Sequence, residues 1–103
     1  MAEGSSDRVH AEDVVLDIGE GFGALLIYTK PELRGTEIEV SQVGDDARRV
    51  HAEVLERRVG GEPVFAAVLA ALAEGDYRIW TDDPWLRNAV TIRGGEVAEV
   101  DWR

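Results

Sequence analysis

The chain has no cysteine, few basic residues and no long apolar run. Without cysteine, neither a disulfide nor a thiolate nucleophile or metal ligand can form, so the fold depends on packing. No stretch approaches the roughly 18 apolar residues that a membrane span needs. The first residues also lack the basic start and apolar stretch of a signal peptide. We therefore expect a cytoplasmic protein.

Basic residues are outnumbered by acidic ones. The chain has 21 Asp and Glu against 11 Lys and Arg, which gives a formal net charge of −10, and Lys30 is the only lysine. A surface of this sign repels phosphate backbones and anionic lipid head groups. We expect neither a nucleic-acid partner nor a membrane partner. The preference for arginine is typical of a high-GC genome.

The length and composition predict one globular domain. A chain of 103 residues can close one hydrophobic core but not two, and 45% hydrophobic with 31% charged residues is ordinary for a globular protein. Residues 1–12 are polar and show no periodicity, which indicates a flexible N-terminal arm. The domain itself is predicted to cover 13–103.

Most of the remaining sequence has the periodicity or the short apolar runs of β-strands. Thr36 to Ser41 alternates, which is typical of a half-exposed strand, whereas Phe22 to Thr29 is continuously apolar, as in a strand covered on both faces. The Gly-Gly pairs at 60–61 and 94–95 each predict a two-residue hairpin. The predicted strands are 14–18, 22–29, 36–41, 48–59, 63–72, 77–81, 89–93 and 96–102.

Two of these segments are also compatible with helices. Asp45 or Asp46 could cap a helix over 46–59 that ends at Gly60, and Pro63 could open an alanine-rich helix over 63–74. Periodicity alone leaves both interpretations open. The spacing of Leu72, Gly75 and Tyr77 favours strands, because it is that of a tyrosine corner. In that device a tyrosine hydroxyl bonds back to the upstream backbone of a β-sandwich.

The segments VFAAVLAALAEGDYRIW and VTIRGGEVAEVDW resemble the closing strands of carboxypeptidase regulatory-like and prealbumin-like sandwich domains. With VVLDIGEGFGALLIYT and GTEIEVS, nearly the whole chain is similar to a group of small conserved hypothetical proteins of high-GC bacteria. Ala73 departs from the sandwich pattern, which prefers proline near this position. The resemblance implies an all-β, antiparallel Greek-key β-sandwich of seven to eight strands, prealbumin-like or immunoglobulin-like, and no particular activity.

One glycine-rich segment suggests a cofactor site. The run VVLDIGEGFGAL from Val14 resembles the first motif of class I methyltransferases, which binds S-adenosylmethionine, and Glu37 or Glu39 would then hold the ribose. The next residues, ALLIYTKPE, are β-branched and interrupted by proline where that motif requires a helix. The sequence therefore favours a strand, a glycine turn and a second strand.

Other residue types with catalytic potential are sparse. His10 and His51 are the only histidines, and we expect both to be solvated surface residues. No serine stands in a G-x-S-x-G elbow, so a phospholipase-like function has no triad behind it. The acidic pairs at 45–46 and 82–83 fall in predicted loops, where they shape turns rather than bind Ca²⁺. The sequence predicts no catalytic, cofactor-binding or metal-binding residue and no cofactor.

The loop TDDPWLRN carries the best candidate for recognition. Trp85, with Leu86 and Arg87, is predicted to form a partner-binding patch, since sandwich loops often carry recognition residues. The competing interpretation is that Trp85 folds back over the sheet edge. We expect a non-catalytic module that binds a protein partner, with a homodimer through an edge strand as a further expectation. The alternative is an S-adenosylmethionine-binding or metal-assisted enzyme.

Overall fold

The computed structural model describes residues 20–103, which form two four-stranded β-sheets. The predicted arm over 1–12 and the predicted strand over 14–18 lie outside the described residues. No described helix is both long and apolar enough to cross a membrane. The elements are β1 Phe22–Thr29, a 3-10 turn Pro31–Leu33, β2 Glu37–Gln42, β3 Val50–Glu53, β4 Leu55–Val59, β5 Glu62–Ala73, β6 Gly75–Ile79, β7 Ala89–Ile92 and β8 Val97–Asp101.

The strand order is β4-β5-β1-β8 in the first sheet and β3-β2-β6-β7 in the second. All neighbouring strands run antiparallel except β1 and β8, which are parallel. The all-β prediction is confirmed, but the expectation of wholly antiparallel pairing is wrong for this last pair. β1 is buried from Gly23 to Thr29, as its continuous apolar run predicts.

The main core lies between the two sheets. Alternate residues of each strand point inward, as with Leu25 and Ile27 of β1 and Ile38 and Val40 of β2. Ile79 of β6 is fully buried in the same cluster. Because one apolar cluster draws on strands of both sheets, the sheets pack face to face as a β-sandwich.

The two segments with helical propensity are extended. β3 and β4 lie within 46–59, and the segment predicted as a strand over 63–72 belongs to β5. The helical alternatives for 46–59 and 63–74 are therefore wrong. Gly60 and Gly61 have φ angles of +61° and +84°, which only glycine adopts without strain, and they join β4 to β5 as the predicted hairpin. Tertiary pairing has overridden local helix propensity here.

The prediction of one strand over 48–59 is wrong, because the chain changes sheets within it. β3 belongs to the second sheet and β4 to the first. Between them, Val54 is fully buried, its N–H donates to the carbonyl of Thr36 at 2.9 Å, and its carbonyl accepts the N–H of Gly35 at 2.8 Å. These bonds replace the ladder bonds that the crossing residue gives up.

The predicted hairpin at 94–95 is also wrong, because β7 and β8 lie in different sheets. The chain instead arches from one sheet to the other. The Gly94 N–H donates to the Glu74 carboxylate at 2.8 Å, and the Gly95 N–H donates to the Phe22 carbonyl at 2.8 Å. Only Gly95, the second of the pair, has a positive φ, +76°, whereas the usual two-residue hairpin turns need one at the first residue.

The predicted tyrosine corner is confirmed. The Tyr77 hydroxyl on β6 donates to the carbonyl of Ala73, at the end of β5, at 2.7 Å. β5 and β6 belong to different sheets, so this bond secures the point where the chain crosses between them. Burial raises the pKa of Tyr77, and the hydrogen bond with Gln42 opposes part of that rise. The folded state therefore favours the neutral hydroxyl.

Replacement of Gly23 by alanine is expected to destabilise the fold by steric conflict. An added Cβ would overlap the Arg93 carbonyl oxygen and lie 2.9 Å from that of Glu96, and neither backbone can move freely. We expect Gly23→Ala to lower the free energy of unfolding, measured in urea, by about 3 kcal/mol. Gly44→Ala is the matched control: its φ of +93° is strained but its surroundings are open, so it should cost only about 1 kcal/mol. Equal losses in the two variants would contradict a steric cause.

Tyr77→Phe should destabilise the protein by about 1 kcal/mol near neutral pH, since it removes one hydrogen bond and keeps the ring. A tyrosine whose pKa is raised on folding contributes stability that is fully present below its ordinary pKa of about 10 and is lost as pH rises through the folded value. The difference between wild type and variant should therefore shrink above about pH 10. Urea unfolding across this range measures it, and an unchanged difference would refute the role of the hydroxyl.

Candidate interaction site

Trp85 lies at the tip of the loop between β6 and β7, with 91% of its surface exposed. It does not fold back over the sheet edge. The other two residues of the predicted patch behave differently. Leu86 is half-buried against the core. The Arg87 side chain runs alongside the start of β7, where its Nε donates to the Ala89 carbonyl at 2.9 Å. Trp85 thus projects into solvent, while Leu86 attaches the loop to the core.

The loop has its own hydrogen bonds. The Asp83 N–H donates to Thr81 Oγ1 at 3.1 Å, and the Trp85 N–H donates to Asp83 Oδ1 at 2.9 Å. The Leu86 N–H closes the turn on the Asp83 carbonyl at 3.2 Å. Aspartate favours such turns because its short side chain can bond to backbone two residues ahead. These bonds hold the backbone that presents the tryptophan.

Two further tryptophans fix the base of the loop. The Trp80 Nε1–H donates to Ser41 Oγ on β2 at 3.0 Å, and the guanidinium groups of Arg49 and Arg78 lie 3.7 and 4.0 Å from the centre of its ring. At the other side, the Trp102 Nε1–H donates to the carbonyl of Arg87 at 2.8 Å. Cation–π contacts and indole hydrogen bonds thus tie both ends of the loop to the sandwich.

Charged side chains surround this end of the sandwich. The hydrogen bonds from Arg103 hold the pKa of Asp101 below its ordinary value, so that carboxylate stays ionised. The Arg103 guanidinium also lies 4.8 Å from the centre of the Tyr28 ring. Trp102, between these two charged residues, donates its backbone N–H to the Tyr28 carbonyl at 2.7 Å.

The part of the predicted cofactor motif that the structure describes, residues 20–25, does not form one pocket with Glu37 and Glu39, and residues 14–19 of the motif lie outside the described range. β1 continues as a strand after Gly23, where that motif requires a helix, and Gly23 is enclosed by backbone of the β7–β8 arch. Glu37 and Glu39 lie on the exposed face of the second sheet. Their carboxylates pair with other side chains, with His51 at 3.3 Å and with Arg49 at 2.8 Å respectively.

One aspartate of each acidic pair and the described histidine have local partners. Asp45 forms an ion pair with Arg48 at 3.5 Å, and Asp83 shapes the loop turn. His51 is largely exposed, as expected, and His10 lies outside the described residues. Within residues 20–103, no group of three or more histidine, aspartate or glutamate side chains is placed to hold a metal ion.

The sequence did not predict that two arginines contact the Trp80 ring. Arg49, which precedes β3, and Arg78 on β6 come together at this ring only because both strands border β2. No local motif marks such a contact, since it depends on the strand order. The alternation of Tyr77 to Trp80 does indicate that Arg78 and Trp80 share a face.

Trp85→Phe should remove most of the quencher-accessible tryptophan fluorescence and change the free energy of unfolding by less than about 0.5 kcal/mol, since the side chain packs on little. Acrylamide quenching and urea unfolding measure the two effects. Trp102→Phe is the matched control, because it removes a mostly buried indole and should keep the accessible component while lowering stability. Accessible emission that persists without Trp85 would show that this ring is not the exposed one.

Comparison of the chain with protein-family models, with curated proteins and with solved structures finds no match. The resemblance to regulatory-like sandwich domains and to small proteins of high-GC bacteria therefore remains a prediction.

Proposed function

We propose that this chain is a non-catalytic protein-interaction module that binds its partner through Trp85. The observation that carries the proposal is a tryptophan 91% exposed on a loop whose backbone and base are hydrogen-bonded. Tryptophan is among the residues that contribute most to binding energy at protein interfaces. A loop that is already ordered loses less conformational entropy when it binds, which favours affinity.

Trp85 stands apart from the other exposed apolar residues of the described chain. Isolated exposed apolar side chains are normal on protein surfaces and need no function. Trp85 combines the largest exposed fraction with the largest side chain in this set. The set comprises Phe22 at 45%, Val43 at 68%, Val50 at 43%, Leu55 at 44% and Trp85 at 91%.

We propose in addition that the sandwich is an immunoglobulin-like Greek key. With β1 taken as strand B, the order β4-β5-β1 corresponds to D-E-B and the order β3-β2-β6-β7 corresponds to C′-C-F-G. The corner at Tyr77 falls between E and F, where immunoglobulin domains have theirs. β8 then takes the place of strand A, but in parallel to β1. The resemblance of the closing strands to prealbumin-like domains favours a related sandwich.

This assignment makes the Trp85 loop the F–G loop. In variable domains that loop belongs to the end of the sandwich that recognises antigen. The comparison is an analogy of fold, which supports a recognition role but does not identify a partner. The net charge of −10 favours a protein partner over nucleic acid or an anionic membrane surface.

Affinity capture with three forms of the full chain tests the proposal. Wild type, Trp85→Ala and the matched control Val43→Ala are tagged identically and used against lysate of the native host. Proteins that Trp85 binds should fall by about tenfold or more with Trp85→Ala, as expected for loss of an interface hot spot. They should be retained by Val43→Ala, which removes another exposed apolar side chain.

The same proteins captured equally by wild type and Trp85→Ala would overturn the proposed role of Trp85. A thermal-shift series with S-adenosylmethionine, Ca²⁺, Mg²⁺ and Zn²⁺ examines the enzymatic alternative, because a ligand that binds only the folded state raises the melting temperature. We expect no shift with any of the four. A shift that saturates with one of them would favour an enzyme or a metal-binding protein.

A further inference from the structure

The edge strand β7 follows directly on the loop that carries Trp85. β7 is an outermost strand of the second sheet, and among the described residues it pairs only with β6. Its sequence, AVTI, has no charged residue. The other described edge strands β3, β4 and β8 each carry charges, which is a common protection against unwanted strand pairing. Of the four described edge strands, β7 is therefore the one without a charged residue inside the strand.

The ladder between β6 and β7 shows which backbone groups face outward. Ile79 donates its N–H to the carbonyl of Asn88 at 2.9 Å. Hydrogen-bonded pairs alternate along an antiparallel ladder, so the next bonded pair is Tyr77 with Val90. The intervening residues Ala89 and Thr91 therefore direct their N–H and carbonyl groups away from β6, toward the edge of the sheet that no described strand covers.

Part of this edge is already occupied by the chain's own side chain. Arg87 Nε donates to the outward carbonyl of Ala89 at 2.9 Å. The N–H of Ala89 and both backbone groups of Thr91 have no hydrogen bond within residues 20–103. Among residues 20–103, three backbone groups of an extended strand are thus without a bond and face outward, and a fourth becomes available if Arg87 moves.

Two arginines flank β7 in an otherwise acidic protein. Arg87 precedes the strand and Arg93 follows it, six residues apart, which spans about 20 Å in extended backbone. Arg93 is exposed and forms no ion pair with a described carboxylate. An arginine fork pairs well with a carboxylate, so the flanks of this edge are complementary to acidic side chains.

We propose that the edge of β7 accepts an extended segment of the protein partner as an added strand, with acidic side chains meeting Arg87 and Arg93 and an apolar side chain meeting Trp85. This inference rests on the proposed interaction function and specifies the partner chemistry. When a carboxylate pairs with Arg87, the Ala89 carbonyl is released to the incoming strand. Main-chain bonds supply affinity and the flanking charges supply selectivity.

The test uses a synthetic peptide, acetyl-Glu-Thr-Val-Thr-Val-Thr-Glu-Thr-Leu-amide, with its glutamates spaced to meet the two arginines. Its lysine-for-glutamate counterpart serves as the control peptide. Amide hydrogen exchange by NMR reports the contact residue by residue. At about 90% saturation, exchange at Ala89 and Thr91 should slow by about tenfold, while Val90, already bonded to β6, should change little.

Charge reversal examines the flanks separately. Arg87→Glu and Arg93→Glu should each weaken peptide binding by about tenfold at low salt, whereas Arg48→Glu, an equal charge change in the exposed β2–β3 turn, should not. The proposal fails if the peptide leaves the Ala89 and Thr91 amides unchanged, or if the lysine peptide binds equally well. Slow exchange at both amides without peptide, together with a concentration-dependent dimer by sedimentation, would assign the edge to a second copy instead.

The capture experiment separates this inference from the proposed function. If a natural partner is lost with Trp85→Ala but kept with both Arg87→Glu and Arg93→Glu, the loop binds and the added strand is refuted. If Trp85→Ala keeps every partner while the peptide still slows exchange at Ala89 and Thr91, the edge inference holds and the role of Trp85 is refuted.

Discussion

The sandwich depends on satisfying the backbone where the chain passes from one sheet to the other. Across the described residues it crosses four times, after β1, β3, β5 and β7. Each crossing takes peptide groups out of a ladder and places them near the apolar core, where an unpaired N–H or carbonyl costs about 1–3 kcal/mol. Val54 and Tyr77 supply bonds at two of these crossings, and glycines at the β7–β8 arch supply them at a third.

The two ends of the sandwich are built differently as a result. At one end Glu74, at the β5–β6 crossing, is bonded to three other segments: its N–H donates to the Gly21 carbonyl, its carbonyl accepts from Gln42, and its carboxylate accepts from Gly94 of the β7–β8 arch. At the other end, the β6–β7 loop is held by its own turn and by two indoles, and its tip projects into solvent. A closed end therefore supports an end that can vary its loop without disturbing the sheets.

The sequence predicts the strands well because each carries its own periodicity and turn residues. The Gly60-Gly61 hairpin and the bond of Tyr77 follow from local rules and are confirmed. The division of 48–59 into β3 and β4 could not be predicted in the same way. The alternation continues across Val54, although the partner strand changes there. The same limit applies to Gly94-Gly95, where a hairpin and an arch share one sequence signal. Of the three residues in the predicted patch, Trp85 is exposed. The positions of Leu86 and Arg87 depend instead on core packing and on the outer edge of β7, which the local sequence does not reveal.

The parallel pairing of β1 with β8 has a consequence for biosynthesis. β1 is made first among the described strands and is apolar along almost its whole length, yet one of its two edges is covered only by β8. While the ribosome adds the intervening segments, that edge stays open, and contacts so distant in sequence form slowly. The nascent chain is thus most exposed to misassociation before β8 emerges, and a chaperone that shields β1 would act in that interval.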